Sequence, residues 1–194
     1  AAKVPTQPWR GQMTVPRRLQ LKKIQDGLRL MQEPVEALQQ LRGDHVEYHG
    51  ENVAELNRAL KTKVRWNSLE LRSTAVPGAA GELGWKLLAA DGKYTAVGYA
   101  NGKLFMDRTH SGVVDFSPAF SARTEAPLNL GGTPLELTIL VDRSTVEVFA
   151  QGEQVAMTNL VYPVGGARGI EFYTNGGKTG ALRADVWELK STWK

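Results

Sequence analysis

There is no cysteine in the 194-residue chain. Disulfides, thiol nucleophiles and thiolate metal sites are excluded together, while the compartment is left open. No apolar run approaches the ~20 residues that a bilayer-spanning helix needs, so no membrane partner is expected. The opening Ala-Ala-Lys-Val-Pro lacks the basic, apolar and small-residue order of a signal peptide, and it lacks an initiator methionine. The chain therefore reads as a fragment or a processed product. Glycine-rich phosphate loops, zinc-ligand spacings and the aromatic–basic motifs of RNA-binding folds are also missing. The formal charge of +4 is mild. Its densest basic patch, Arg17-Arg18 with Lys22-Lys23, falls along an amphipathic strand. A solvated strand face accounts for that patch, and no nucleic-acid partner is expected.

What is present is the punctuation of β structure. Twenty glycines and nine prolines break the chain at short intervals, and no long helical period competes with period-two alternation. The clearest stretch is Leu135 to Pro163. Leu135, Leu137, Ile139 and Val141 alternate with Glu136, Thr138 and Leu140; Asp142-Arg143-Ser144 makes a turn, and Thr145 to Phe149 runs back. There Val146 and Val148 take one face and Thr145, Glu147 and Phe149 the other. A weaker third strand follows the Gln151-Gly152-Glu153 turn.

Upstream, Leu19–Gln25 and Leu28–Glu33 predict a hairpin turning at Asp26-Gly27. Pro34 to Gly43 predicts a short helical turn, His45–Glu51 a strand, and Val53–Leu60 a polar, partly helical connector. Short strands are predicted at Leu69–Ala75, Leu83–Ala90, Tyr94–Ala100 and Lys103–Asp107, and again at Gly169–Thr174 and Leu182–Leu189. About a dozen strands without βα alternation make the chain all-β. The expected architecture is a two-sheet antiparallel β-sandwich of the jelly-roll or lectin-like kind.

Few residues stand out as chemistry. Glu147 sits mid-strand between two valines, and an unpaired buried carboxylate is costly, so it must face solvent or find donors. Asp107-Arg108 and Asp142-Arg143 lie at strand ends; Arg108 offers a planar fork of donors to a carboxylate or to vicinal hydroxyls, with a salt bridge to a neighbouring strand the favoured reading, and a turn role suffices for Asp142-Arg143. His45, Glu47 and His49 share one strand face at i, i+2 and i+4, but an exposed strand edge is the favoured reading and no metal is expected. Trp85 and Trp187 alternate with aliphatic residues as core tryptophans do. Trp66, after a basic run, is the one expected to be exposed, where a sugar could stack. Trp9 and Trp193 lie near the termini.

Four segments in order, PWRGQMTVPR from Pro8, GYANGKLFMDRTHSG from Gly98, VDFSPAF from Val114 and VDRSTVEVFAQGE from Val141, resemble the C-terminal β-sandwich of glycoside hydrolase family 32, the β-fructofuranosidases, levanases and exo-inulinases. A QEPVEAL phrase followed by LR agrees with the same registration. The resemblance spans nearly the whole chain and is weakest between Arg42 and Val64. It implies that residues 1–16 are the remnant of the last blade of a catalytic five-bladed propeller with its linker, and that residues 17–194 are the sandwich.

The family's three catalytic carboxylates lie in propeller motifs of the type WMNDPNG, RDP and EC, none of which occurs here. By resemblance this is the non-catalytic part of a fructan- or sucrose-hydrolysing glycosidase. It is expected to stabilise the propeller, with no catalytic residue and no cofactor of its own. Contact with fructan, fructose or a second subunit is a further expectation, carried by Glu147, Arg108, Asp107, Asp142, Arg143 and Trp66. Glu147 is read either as a sugar or interface contact or as a paired glutamate on the outer sheet face. The alternative function is a free-standing fructan-binding module. Self-association is expected where an apolar face loses its propeller cover. The resemblance favours secretion or the periplasm without excluding the cytoplasm.

Overall fold

The computed structural model describes residues 4–6, 11–24 and 27–192. Trp9, Trp193 and the Asp26 half of the predicted hairpin turn lie outside them. In chain order the elements are β1 (Arg17–Ile24), β2 (Gly27–Pro34), a 3-10 helix (Glu36–Leu41), β3 (Arg42–Gly50), α1 (Val53–Lys63), β4 (Ser68–Ala75), β5 (Glu82–Ala90), β6 (Lys93–Ala100) and β7 (Lys103–Asp107). After these come β8 (Arg123–Pro127), β9 (Leu135–Asp142), β10 (Thr145–Ala150), β11 (Val155–Leu160), β12 (Gly169–Asn175) and β13 (Leu182–Leu189).

Two antiparallel sheets face one another. One has the order β11-β10-β9-β4-β13-β3, the other β12-β5-β6-β7-β8. The core between them follows from alternation: Leu69 and Leu71, Leu137 and Ile139, Val146 and Val148, and Ala184 and Val186 project from the first sheet. Leu83, Trp85, Val97, Leu104, Met106 and Phe172 project from the second. At about 1.5–3 kcal/mol per fully buried large apolar side chain, this single layer is the main source of stability. Trp85 is fully buried and donates its indole N–H to Ser73 Oγ at 3.0 Å, which satisfies the one polar atom that the ring brings inside.

The predicted β-sandwich is therefore the fold, with three differences. The polar connector is a continuous eleven-residue helix. Asn52 caps it by accepting from the N–H groups of Ala54 and Glu55, and Leu56 and Leu60, four apart, drop into the core. From the same helix, Asn57 donates to the Phe172 carbonyl and accepts from the Phe172 N–H. That side-chain amide stands in for a missing strand and covers the edge at β12. Second, the edge strand β8 was not predicted: Arg-Thr-Glu-Ala-Pro carries no alternation of large apolar residues. Third, Trp187 is not a core residue. Val186 and Ala184 take the inward positions of β13, so Trp187 belongs to the outer face.

Among the described residues, the β1–β2 hairpin forms a two-stranded sheet of its own. It lies against the first sheet near β11, where the Gln32 N–H reaches the Glu153 carbonyl at 3.3 Å. Its register, Leu21 opposite Leu30 and Lys23 opposite Leu28, gathers Leu19, Leu21, Leu28 and Leu30 on one face. All four are exposed, by 48 to 71%.

Candidate functional site

The outer face of the six-stranded sheet carries an unusual density of charge, and register explains how it is laid out. One cross-strand row runs Thr158, Glu147, Leu140, Glu70, Trp187, His45. The row beside it runs Ala156, Phe149, Thr138, Arg72, Asp185, Glu47. Because side chains two apart on a strand share a face, the sequence phrases TVEVF, LTIL, LELR and ADVW converge here from four separate strands.

Two carboxylates of the first row, Glu147 and Glu70, are 2% and 3% exposed. Each is held by an arginine brought from elsewhere in the chain. Arg17, at the start of the hairpin, places Nη2 at 2.5 Å from Glu147 Oε2 and stacks its guanidinium 5.0 Å from the Phe149 ring centre. The Val15 N–H donates to Glu147 Oε1 at 2.7 Å. Arg17 is thus the exception in the predicted solvated basic patch, drawn inward by this carboxylate. Arg42 grips Glu70 with two bonds of 2.8 and 2.7 Å, and Arg72 Nε adds a third at 2.8 Å. Burial works to raise the Glu70 pKa, but the hydrogen bonds and charges of Arg42 and Arg72 together outweigh it, leaving the carboxyl below its ordinary range. Carboxylates neutralised in this way suit structural anchoring better than proton transfer.

Trp187 extends the same network. Its ring stacks on His45 at 4.6 Å and 3°, and the Arg42 guanidinium lies 4.0 Å from its centroid. His45 Nε2 is 3.1 Å from Asp185 Oδ1, and Arg183 links Asp185 to Glu47 at 3.1 and 3.6 Å. On the predicted His45–Glu47–His49 face, His45 and Glu47 thus join a network with Asp185 and Arg183. Among the described residues no group of three or more His, Asp or Glu is placed to hold a metal.

The remaining sequence-selected residues gather at one end of the sandwich. Asp142 accepts from Ser68 Oγ at 3.0 Å, and Arg143, at φ 49° in the turn, donates its N–H to the Asn67 carbonyl. Adjacent to Asn67, Trp66 is half-buried and packed on the core rather than standing free. Asp107 accepts from the N–H and hydroxyl of Thr109 at 2.8 and 2.7 Å. Arg108 lies 4.3 Å over the Phe120 ring and donates to the Leu160 carbonyl at 3.2 Å. Burial, partly offset by Tyr162, lowers its pKa from the ordinary arginine value. Next to this end, Gln12 Nε2 bonds Ser144 Oγ, so the arm before β1 crosses the β9–β10 turn.

Neither these five residues nor Glu147 lines two adjoining grooves of about 500 and 420 Å³ on the outer face. The first lies under the hairpin and the 3-10 helix, and the second runs on toward Trp187 and Arg183. Both touch Arg72, Thr138 and Glu153. Sequence reasoning passed over all three, although the Leu69-Glu70-Leu71-Arg72 alternation already assigns Arg72 to a polar sheet face.

Comparison with known proteins agrees with this architecture. A family described as the C-terminal region of glycosyl hydrolases family 32 matches residues 37–188. A levanase of Bacillus sp. (strain L7) is 38% identical over 98% of the chain, and the Bacillus subtilis (strain 168) levanase 33% identical over 98%. An extracellular exo-inulinase of Aspergillus awamori is 31% identical over 99% of the chain. The chain spans only 21, 29 and 37% of these relatives. The crystal structure of exo-inulinase from Aspergillus awamori superposes with a TM-score of 0.84 at 28% identity, covering 98% of this chain and 38% of that one. With the same two-sheet sandwich, and a match running from the 3-10 helix to β13, the chain belongs to glycoside hydrolase family 32 and carries its C-terminal domain.

Proposed function

We propose that this domain is the non-catalytic partner of an N-terminal propeller in a fructan- or sucrose-hydrolysing enzyme, which it stabilises by packing against it. The observation that carries the reading is the hairpin. Leu19, Leu21, Leu28 and Leu30 form an exposed apolar face on a two-stranded ribbon, a structure that is marginal alone. Here the base of the ribbon is held on the sandwich by Arg17, which bonds Glu147. An apolar face fixed by a buried ion pair is suited to docking. In this reading residues 1–16 come from the last propeller blade and its linker, as the levanase and exo-inulinase likenesses support. Glu147 then acts on the interface through Arg17 and Val15 instead of through sugar. Asp142, Arg143, Asp107, Arg108 and Trp66, at the end crossed by the arm, are proposed rim contacts of the same interface or of fructan.

Two measurements test this. Purified chain should release negligible fructose from sucrose, inulin or levan, and sustained turnover would overturn the non-catalytic assignment. In light scattering, the isolated chain should self-associate through the leucine face, and Leu21→Lys with Leu30→Lys should return it to monomer without loss of folding. Equal behaviour of wild type and double variant would remove the docking role. A second reading, a fructan-binding module, is favoured by the polar grooves of the outer face.

A further inference from the structure

We propose that the two grooves on the outer face of the six-stranded sheet form one continuous site for a neutral oligosaccharide chain, clamped at its waist by Arg72, Thr138 and Glu153. The grooves measure about 500 and 420 Å³ and share those three residues. They meet at that waist, and each half is within the size range of small-molecule sites, ~300–1,000 Å³.

The waist holds polar groups that the fold leaves unspent. Arg72 uses Nε on Glu70, and its two Nη groups make no hydrogen bond to protein among the described residues. Among the described residues the Thr138 hydroxyl makes none either, and the Glu153 carboxylate makes neither a hydrogen bond nor an ion pair, although it feels the charges of Glu33 and Arg72. Several other polar side chains on this face are committed: Glu70 to two arginines, Asp185 to His45 and Arg183, Gln151 to Thr133 and Pro134. Glu153 is also fixed in space, at φ 64° in the β10–β11 turn, with its carbonyl bonded by the hairpin. A left-handed backbone on a non-glycine residue is sparsely populated and costs energy unless its surroundings hold it.

The chemistry of the three groups selects the ligand. A guanidinium fork donates to vicinal hydroxyls, a carboxylate accepts from them, and a threonine hydroxyl does both. Vicinal hydroxyls that donate and accept at once are the signature of a sugar. Glu33 and Glu136 on the walls, with Glu153 itself, disfavour an anionic ligand, and Arg72 disfavours a bare cation. Pro34 on the wall offers apolar surface to the C–H face of a ring.

For the choice of sugar alone, the inference rests on the fructan reading above. The test is amide chemical-shift mapping of the 194-residue chain with levan oligosaccharides, inulin oligosaccharides and cellohexaose, for wild type, Glu153→Gln and Thr138→Val. A fructan should shift the amides of Arg72, Thr138 and Glu153 together, and each substitution should weaken binding about tenfold, one hydrogen bond to a charged or hydroxyl partner. If cellohexaose alone shifts those amides, the site stands and the fructan reading falls. If fructans shift amides elsewhere, the site falls and the fructan reading stands. If no sugar moves the three amides, or if both variants bind as wild type does, the site is overturned.

Discussion

Arg17 and Glu147, 130 positions apart in the chain, meet at 2.5 Å on the outer face of the six-stranded sheet, with side chains 15% and 3% exposed. This ion pair, with the Val15 N–H on the same carboxylate, is the buried tie between the N-terminal arm and the sandwich, beside the Gln12–Ser144 and Gln32–Glu153 hydrogen bonds. Breaking a buried pair from one side leaves the partner charge uncompensated. Glu147→Ala should therefore cost about 3 kcal/mol, and hydrogen exchange should show β1 and β2 losing protection before the sandwich strands do. Uniform loss of protection would argue against a local anchoring role.

Glu70 makes a prediction about acid. Its folded pKa lies below the ordinary carboxylate value because Arg42 and Arg72 outweigh the effect of burial. A depressed folded pKa means that the unfolded chain binds the proton first. The stabilisation is thus complete above the unfolded value near about 4.3 and is lost as pH falls through the folded one. Glu70→Gln should be less stable than wild type at neutral pH by about 3 kcal/mol, since Arg42 is left without its carboxylate beneath Trp187. Urea unfolding between about pH 3 and pH 7 should show the gap narrowing toward the acid end. The half-exposed Arg72 contributes the smaller part of this, because solvent screens it.

On the second sheet, Gly98 lies opposite Gly84 with the Phe105 ring above it. A Cβ at Gly98 would meet the Leu83 carbonyl oxygen at 2.4 Å and Phe105 Cζ at 2.8 Å. Backbone cannot swing away as a side chain can, so Gly98→Ala should lose about 1–3 kcal/mol. Thermal unfolding measures it, and an unchanged midpoint would mean that β5 and β6 separate freely.

The exposed leucines should behave oppositely. Single changes such as Leu28→Ser remove no core contact, since Leu28 is 71% exposed, and surface substitutions of this kind stay within about 0.5 kcal/mol. Their effect should appear in self-association by sedimentation. A large loss of stability instead would mean that the leucine face is packed on the chain's own arm.

Much of the sandwich was legible because alternation is a local signal. Leu135–Val141 and Thr145–Phe149 show it plainly, and both became central strands. β8 showed none because an edge strand made of Arg-Thr-Glu-Ala-Pro buries little. Trp187 was misplaced because hydrophobicity alone does not say which face of a strand is inward; Arg42 and His45 pack on it and leave it half-buried on the outer face. The partners of Glu147 and Glu70 were invisible for a different reason. Arg17 and Arg42 lie 130 and 28 positions away, and nothing in either local sequence marks the pairing.

The sequence by itself determined most of the strands, many of the turns between them and the family, because period-two patterning and turn residues act over a few neighbouring positions. It also determined that a mid-strand carboxylate such as Glu147 had to find a partner, since burying a bare charge is too costly to leave uncompensated. Only the tertiary structure decided which partner. Six strands from distant parts of the chain had to be set in register before Glu147 faced Arg17, Glu70 faced Arg42, and Arg72, Thr138 and Glu153 came to share one groove. Register is a property of the assembled sheet, fixed by the burial of the opposite face.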